Sequence, residues 1–280
     1  MKVNPQELLR DFEQKLKAAG KNFPRYVLIQ LFRDYLSISE SLLFFNGYVE
    51  IPDSVTRKLE NAYERLLKDE PLDYIIGWKK FMNLNLKVDK RALIPRPETE
   101  GLVEIVLSEC RKNHFFVDIG TGSGAIALSI ASGLPDALVY ATDISKEALE
   151  LAMENAATNK IENVKFLQGD CLSPLKPFID RIEVIVSNPP YIKTEIISGL
   201  DISVRKYEPM IALDGGADGI DFYRKFLKEL PSGKKVFLEI ADYTATALEK
   251  LVEEERRDYK IRIEKDLFGL LRYAILNPAL

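Results

Sequence analysis

The sequence predicts an α/β fold: a mostly parallel sheet with helices on both faces, preceded by a small amino-terminal helical domain and joined to it by a β-hairpin. Three observations carry this expectation. Roughly the first 70 residues repeat apolar side chains at three- and four-residue spacing. From Phe115 onward, short β-branched runs alternate with helical patterns. Between the first such strand and the first such helix lies a glycine-rich turn, Gly120-Thr121-Gly122-Ser123-Gly124. The expected boundaries are 1–72 for the helical domain, 73–92 for the hairpin linker and 93–280 for the α/β domain.

The elements follow in order. Over Pro5–Ala19, the residues Leu8, Phe12, Leu16 and Ala19 recur on one helical face, and Gly20 closes the segment. Val27–Leu36 is apolar on more than one face, as a well-buried helix is. Val55, Leu59, Ala62, Leu66 and Leu67 form a further stripe behind the helix start Pro52-Asp53-Ser54. Past Pro71 the texture changes: Tyr74–Phe81 and Asn83–Val88 read as two strands turning near Met82-Asn83. Ile94–Glu100 is a proline-rich loop entering a helix over Gly101–Cys110. Strands are then expected at Phe115–Ile119, Leu138–Thr142, Val164–Gln168, Ile182–Ser187 and Lys235–Ile240. Helices are expected at Ala125–Ser132, Lys146–Asn155, Asp221–Glu229 and Thr244–Glu255, and Ile261–Glu264 with Leu271–Leu276 closes the chain as an antiparallel hairpin.

Composition narrows the function. With 46% hydrophobic and 29% charged residues over 280 positions, the chain reads as a soluble globular protein large enough for two domains. No apolar stretch approaches a membrane span, no signal-peptide pattern opens the chain, and two cysteines make no disulfide framework, so the cytoplasm is the expected location. Cys110, Cys171 and the single histidine, His114, are too few for a zinc or iron site, and no metal is expected. A net charge of −4 gives no indication of a nucleic-acid-coating surface.

Asn188-Pro189-Pro190-Tyr191 ends the apolar run Ile182–Ser187. Tandem prolines cannot continue a sheet ladder and hold the preceding residue extended, so Asn188 is fixed at the carboxyl end of a strand, where open α/β sheets bind ligands. Its amide offers an acceptor and a donor suited to gripping a planar amide or amine. The glycine turn lets backbone approach a ligand closely, although its dinucleotide-like spacing is a weak signal alone. Strand-ending carboxylates discriminate. Asp118 is within reach of a cationic ligand group, Asp143 suits the hydroxyls of a ribose, and Asp170 suits the exocyclic amine of an adenine. An ammonium, a ribose and an adenine without phosphate make up S-adenosylmethionine, whereas a pyrophosphate would tolerate Asp118 poorly.

Asp118–Gly124, Asp143 and Asn188–Tyr191 together resemble the motif set of class I (Rossmann-like) S-adenosylmethionine-dependent methyltransferases that modify planar nitrogens. Pro71–Gly77, Leu93–Glu100, Tyr207-Glu208-Pro209, Ala212–Gly219 and Phe222-Tyr223-Arg224 narrow the resemblance to the HemK/PrmC family. The resemblance implies a protein-(glutamine-N5) methyltransferase acting on the Gly-Gly-Gln loop of class-1 peptide chain release factors, releasing S-adenosylhomocysteine, with no membrane or direct nucleic-acid partner. It implies a cofactor side of Asp118, Gly120, Thr121, Gly122, Ser123, Gly124, Asp143, Ile144, Asp170, Cys171 and Asn188. The substrate side is Arg96, Glu98, Thr99 and Asn188 to Tyr191, with Asn188, Pro189 and Tyr191 as the catalytic group. The carbonyls of Asn188 and Pro189 are expected to accept the two amide hydrogens, with Tyr191 packed on the amide. Three departures stand out: Cys171 where an aromatic is usual, Ala241 where a glycine is usual, and an apolar Asp266–Arg272 segment. The alternatives are an adenine-N6 methyltransferase on DNA or RNA with the same Asn-Pro-Pro-Tyr site, a nicotinamide oxidoreductase, which gives that site no task, and a noncatalytic binding protein.

Overall fold

A computed structural model describes residues 2–112 and 114–279. The chain divides into two compact units, Met1–Trp78 with Ile202–Tyr207, and Lys79–Asp201 with Glu208–Leu280.

The first unit is helical. A short antiparallel pair, β1 (Lys2–Val3) with β2 (Val49–Glu50), brackets α1 (Pro5–Ala18), α2 (Arg25–Gln30) and α3 (Glu40–Leu43), and α4 (Asp53–Leu67) follows. The Asn4 side chain caps α1 by accepting from the Gln6 and Glu7 amides at 3.0 and 3.3 Å, and Pro5 takes the first helical position, where its missing N–H costs nothing. The buried stripe of α1 is Leu9, Phe12 and Leu16, so Leu9 replaces the expected Leu8 and Ala19 is exposed. Past α2 the chain widens into a π turn at Leu31–Tyr35. Leu28, Leu31, Phe32, Ala62, Leu66 and Ile75 complete one core, in which Phe12 meets Phe32 and Tyr63 edge-on with ring centroids 5.7 and 6.0 Å apart.

The expected strand over Tyr74–Phe81 is half helix. Leu72–Ile76 forms α5: the Tyr74 and Ile75 amides bond the Pro71 carbonyl, and the run ends at Gly77 with φ 87°. A run of consecutive apolar residues lacks the period that separates buried helix from buried strand, and the local turn after Pro71 decides it.

At the start of the second unit, which begins at Lys79, β3 (Trp78–Phe81) and β4 (Leu84–Lys87) form the hairpin, with Met82 at its turn (φ 49°). Helix α6 spans Pro97–Glu109 and begins four residues before the expected Gly101. Pro97 accounts for this, because its fixed φ and absent N–H suit the first helical position. Glu98 and Thr99, expected in a loop, therefore lie in the first turn of a helix. The alternating region follows: β5 (Phe115–Ile119), α7 (Ala125–Gly133), β6 (Leu138–Asp143), α8 (Lys146–Thr158), β7 (Val164–Gln168), β8 (Val184–Ser187), α9 (Thr194–Ile197), then, after α10 (Ile202–Tyr207), which belongs to the first unit, α11 (Asp221–Glu229), β9 (Lys235–Glu239), α12 (Ala245–Glu255), β10 (Tyr259–Lys265) and β11 (Leu271–Pro278). These give a seven-stranded sheet of order β10-β11-β9-β8-β5-β6-β7, antiparallel only at β11.

The alternation of side chains along each strand makes two cores. Phe116, Val184, Val186 and Phe237 face one cluster, and Val117, Ile185, Val236 and Leu238 face the other. Chain order reverses between β5 and β8, which pair in parallel with Ile119 opposite Ser187. Their carboxyl ends therefore open the crevice at which such sheets bind ligands. Among the described residues, no helix is long and apolar enough to cross a membrane.

Candidate active site

Two loops leave that crevice. The first, after β5, is held down by the Gly120 and Thr121 amides, both 2.9 Å from the Thr142 carbonyl. Gly120 has φ 71°, and a Cβ there would meet no protein atom, so the loop presents bare backbone to open space. Asp143, at the end of β6, accepts from the Gly122 amide with one carboxylate oxygen and from the Ser145 amide with the other, both at 2.9 Å. Burial raises its carboxyl above the usual range.

Asp118 departs from expectation. It is fully buried and does not line the cavity: its Oδ2 accepts from the Thr121 hydroxyl (2.7 Å) and the Ala127 amide (3.1 Å), while Oδ1 has no partner. The carboxylate shapes the loop from below instead of facing a ligand. Burial pushes it from 3.8 up to about 7. A carboxyl raised on folding contributes stability that is full below its unfolded value and is lost as pH rises through the folded one. Thermal stability should therefore decline between about pH 4 and pH 7, and Asp118→Asn should flatten that slope in calorimetric melts at stepped pH.

The second loop, Asn188–Tyr191, is anchored by hydrogen bonds. Asn188 Nδ2 donates to Thr99 Oγ1 at 3.1 Å, Thr99 Oγ1 donates to Glu239 Oε2 at 2.7 Å, and Tyr191 OH donates to Glu239 Oε1 at 3.1 Å. The Tyr223 hydroxyl donates to the Glu239 backbone carbonyl at 2.7 Å. These bonds have a direction. With Glu239 taking the Thr99 proton, the hydroxyl can only accept from Asn188, so the Asn188 NH2 turns to Thr99 and its carbonyl is left for another partner. Burial raises the Glu239 carboxyl, opposed by the bonds from Thr99 and Tyr191. Tyr191, expected to pack on the substrate amide, has its hydroxyl committed to this carboxylate, and burial with the Glu239 charge raises its phenol.

A glycine loop clamps the backbone of this segment. The Ile192 amide bonds the Leu213 carbonyl at 3.0 Å, and the Gly215 amide bonds the Ile192 carbonyl at 2.8 Å. A Cβ on Gly215 would lie 2.7 Å from the Tyr191 Cα and 2.9 Å from the Pro190 carbonyl oxygen, closer than two such atoms can pack. Gly215→Ala should therefore displace Asn188–Tyr191 and lower kcat at least tenfold while circular dichroism stays native, a comparison that steady-state kinetics and spectra together make.

The cavity between the loops has a volume of about 250 Å3. Its walls include Gly120, Thr121, Gly122, Ser123, Asp143 and Ile144 on one side, and Asn188, Pro190, Arg96 and Thr99 on the other, with Asp170 and Cys171 beyond. Gly124, Glu98, Pro189 and Tyr191 are absent from the walls. Gly124 turns the chain into α7 at φ 86°, the Glu98 carbonyl accepts from the Tyr273 hydroxyl at 2.7 Å, and Pro189 is buried. Asp170, expected to meet an adenine amine, is ion-paired with Lys225. Cys171 is buried with φ 51°, and burial pushes its thiol up to about 12, so it acts as an apolar wall.

The two guanidiniums lining the cavity are both paired. Arg91 binds Asp89 and Glu154, each at 2.8 Å, and Arg96 binds the buried Glu208 at 2.7 Å. A pyrophosphate would find no uncompensated cation here, whereas bare glycine backbone, the Asp143 carboxylate and apolar walls fit a nucleoside without phosphate. Sequence reasoning gave Glu239 no role and carried Glu208 only within the Tyr207-Glu208-Pro209 motif, without its partner. The signal for Glu239 was the one used for the aspartates, a carboxylate ending a parallel strand, but extending β9 to Ile240 hid it inside the strand. Glu208 lies 112 residues from Arg96, and no local pattern links them.

Comparison with known proteins agrees with this geometry. The family described as PrmC N-terminal domain matches residues 7–77, and that described as Methyltransferase small domain matches residues 99–202. The chain is 35% identical over 277 residues to the release factor glutamine methyltransferase of Streptococcus pneumoniae, covering 97% of each chain. It is 43% identical over 225 residues to that of Lactococcus lactis subsp. lactis, covering 79% of this chain and 82% of the relative. Among solved structures, the hMettl16 catalytic domain in complex with an RNA hairpin is similar in fold, with a TM-score of 0.53 at 16% identity over 84% of this chain and 85% of that one.

Proposed function

The chain belongs to the release factor glutamine methyltransferase family, and from that premise we propose that it methylates the side-chain amide nitrogen (N5) of the glutamine in the Gly-Gly-Gln loop of class-1 peptide chain release factors, using S-adenosylmethionine. A substrate of that class puts the reaction in the cytoplasm. The observation that carries the reading is the hydrogen-bonded relay from Asn188 through Thr99 to Glu239. It leaves the Asn188 carbonyl as a fixed acceptor at the wall of the cavity, which is what an incoming primary amide requires.

An amide nitrogen is a poor nucleophile, because its lone pair is delocalised into the carbonyl. When bound, S-adenosylmethionine supplies a methyl already activated on a sulfonium. The chain's own work is positioning. The glycine loop with Asp143, Ile144 and Cys171 would hold the nucleoside, and Asp118 keeps that loop in shape from below. The Asn188 side-chain carbonyl, at the cavity wall, accepts an N–H of the glutamine amide and orients its lone pair, while Pro189, buried and absent from the walls, fixes the loop that carries it. Such orientation contributes up to roughly 7–11 kcal/mol in the best cases. Tyr191 and Thr99 serve by holding Glu239 and Asn188.

A methylation assay tests this. Labelled cofactor should transfer its methyl to an intact class-1 release factor and leave unlabelled the same protein with its loop glutamine replaced. Transfer to adenine-containing nucleic acid, with none to the release factor, would sink the reading.

A further inference from the structure

The turn joining β10 to β11 holds the two most exposed large apolar side chains among the described residues, Leu267 at 103% and Phe268 at 80%, with Leu270 half-exposed beside them. One exposed apolar side chain needs no explanation, but two neighbours on a rigidly built turn do. The turn is rigid because Asp266 organises it. Asp266 Oδ1 accepts from the Phe268 and Leu270 amides at 2.9 and 3.1 Å, and its Oδ2 accepts from Arg272 Nε at 3.1 Å. The Asp266 amide donates to the Leu270 carbonyl at 2.9 Å, and the Gly269 amide to the Asp266 carbonyl at 3.0 Å, with Gly269 at φ 83°. The Asp266 side chain is almost wholly buried, so a carboxylate is spent on keeping two hydrophobic side chains in water.

The position of the turn suggests its occupant. Because β11 runs antiparallel to β9, its first residues lie at the sheet edge that carries the active site, and Tyr273 sits opposite Glu239. The Leu271 amide bonds Asp242 Oδ1 at 2.9 Å, and the next residue along, Tyr243, donates its hydroxyl to the Tyr191 carbonyl at 3.0 Å. The apolar tip is thus continuous, through two hydrogen-bonded steps, with the loop assigned to the acceptor amide. The turn thus lies on the same side of the sheet as the loop that carries Asn188.

We infer that Leu267 and Phe268 form a preformed apolar prong that docks the folded surface of the release factor beside its glutamine loop; this rests on the release-factor reading above. The complementary surface is an apolar patch of that protein flanking the loop, not the glutamine itself. A rigid turn loses little conformational freedom on binding, and aromatic side chains are enriched at protein interfaces. A second copy of this chain seated on the prong would crowd the edge at which the acceptor enters.

The test is the double variant Leu267→Ser/Phe268→Ser, assayed on an intact class-1 release factor and on a short peptide containing Gly-Gly-Gln. Both side chains are in water, so the thermal midpoint should not fall. The expected result is a KM for the intact protein raised about tenfold with kcat unchanged, and unaltered turnover of the peptide. An unchanged KM for the intact protein overturns the prong while leaving the functional reading in place. Equal losses on protein and peptide also overturn it, because the turn would then be acting through the site. So does a wild-type dimer in sedimentation that the variant dissolves with KM unmoved, which would assign the prong to self-association. Failure of the wild type to methylate either substrate removes the functional reading itself, and the prong with it.

Discussion

Asn188→Ala should lower kcat on a release factor by about a hundredfold to a thousandfold, the range seen when one fixed hydrogen-bonding group is taken from a reacting centre. The relay gives the reason. Truncation removes the carbonyl that accepts an amide N–H and leaves Thr99 Oγ1 without the donor it has at 3.1 Å. Cofactor affinity should stay within a few-fold, because the glycine loop and Asp143 are untouched, so calorimetric titration separates lost chemistry from lost binding. Asn188→Asp should be no better than alanine. The Thr99 hydroxyl has one proton, already given to Glu239, and cannot serve a second carboxylate. Near wild-type turnover in either variant would sink the assignment of Asn188.

How far the sequence reached depended on whether a signal was local. The strands β5 and β7 and the helix α11 fall where the patterns put them, because β-branched runs bounded by turns and helical stripes are short-range signals. The segment Leu72–Ile76 has no period to read, and a turn started by Pro71 settled it as helix. The site divides the same way. Asp143 and the glycine turn stand beside each other through adjacent strand ends, so a rule about strand ends placed both. That rule could not say which way a carboxylate turns, and Asp118 turned into the loop. The contacts that orient Asn188 join positions 89 and 140 residues apart, and their partners meet only once α6 has packed beside β9. Thr99 was carried by a motif, but its task became visible only through Glu239.

Glu239 supports the second large prediction. Glu239→Leu deletes the acceptor for the buried Thr99 hydroxyl and for the partly buried Tyr191 hydroxyl. Released from it, Thr99 can turn its proton toward Asn188, and the amide can flip to present its NH2 group to the substrate, the wrong end for an incoming N–H. The expected loss in kcat is about a hundredfold, with roughly 1–3 kcal/mol of stability for each orphaned buried group. Glu239→Gln keeps shape and volume and offers one acceptor for the two hydroxyls, so an intermediate loss, on the order of tenfold, is expected. Since burial raises the Glu239 carboxyl, wild-type kcat should fall on the acidic side at a higher pH than an ordinary glutamate would give, and the glutamine variant should lack that limb. Thr99→Val interrupts the same relay one step later. If the relay is a single device, Glu239→Gln combined with Thr99→Val should cost no more than the worse single change, the mark of groups that act as a unit. Losses that multiply would mean that Glu239 acts on turnover by another route, and the direction of the relay would then not be what fixes Asn188.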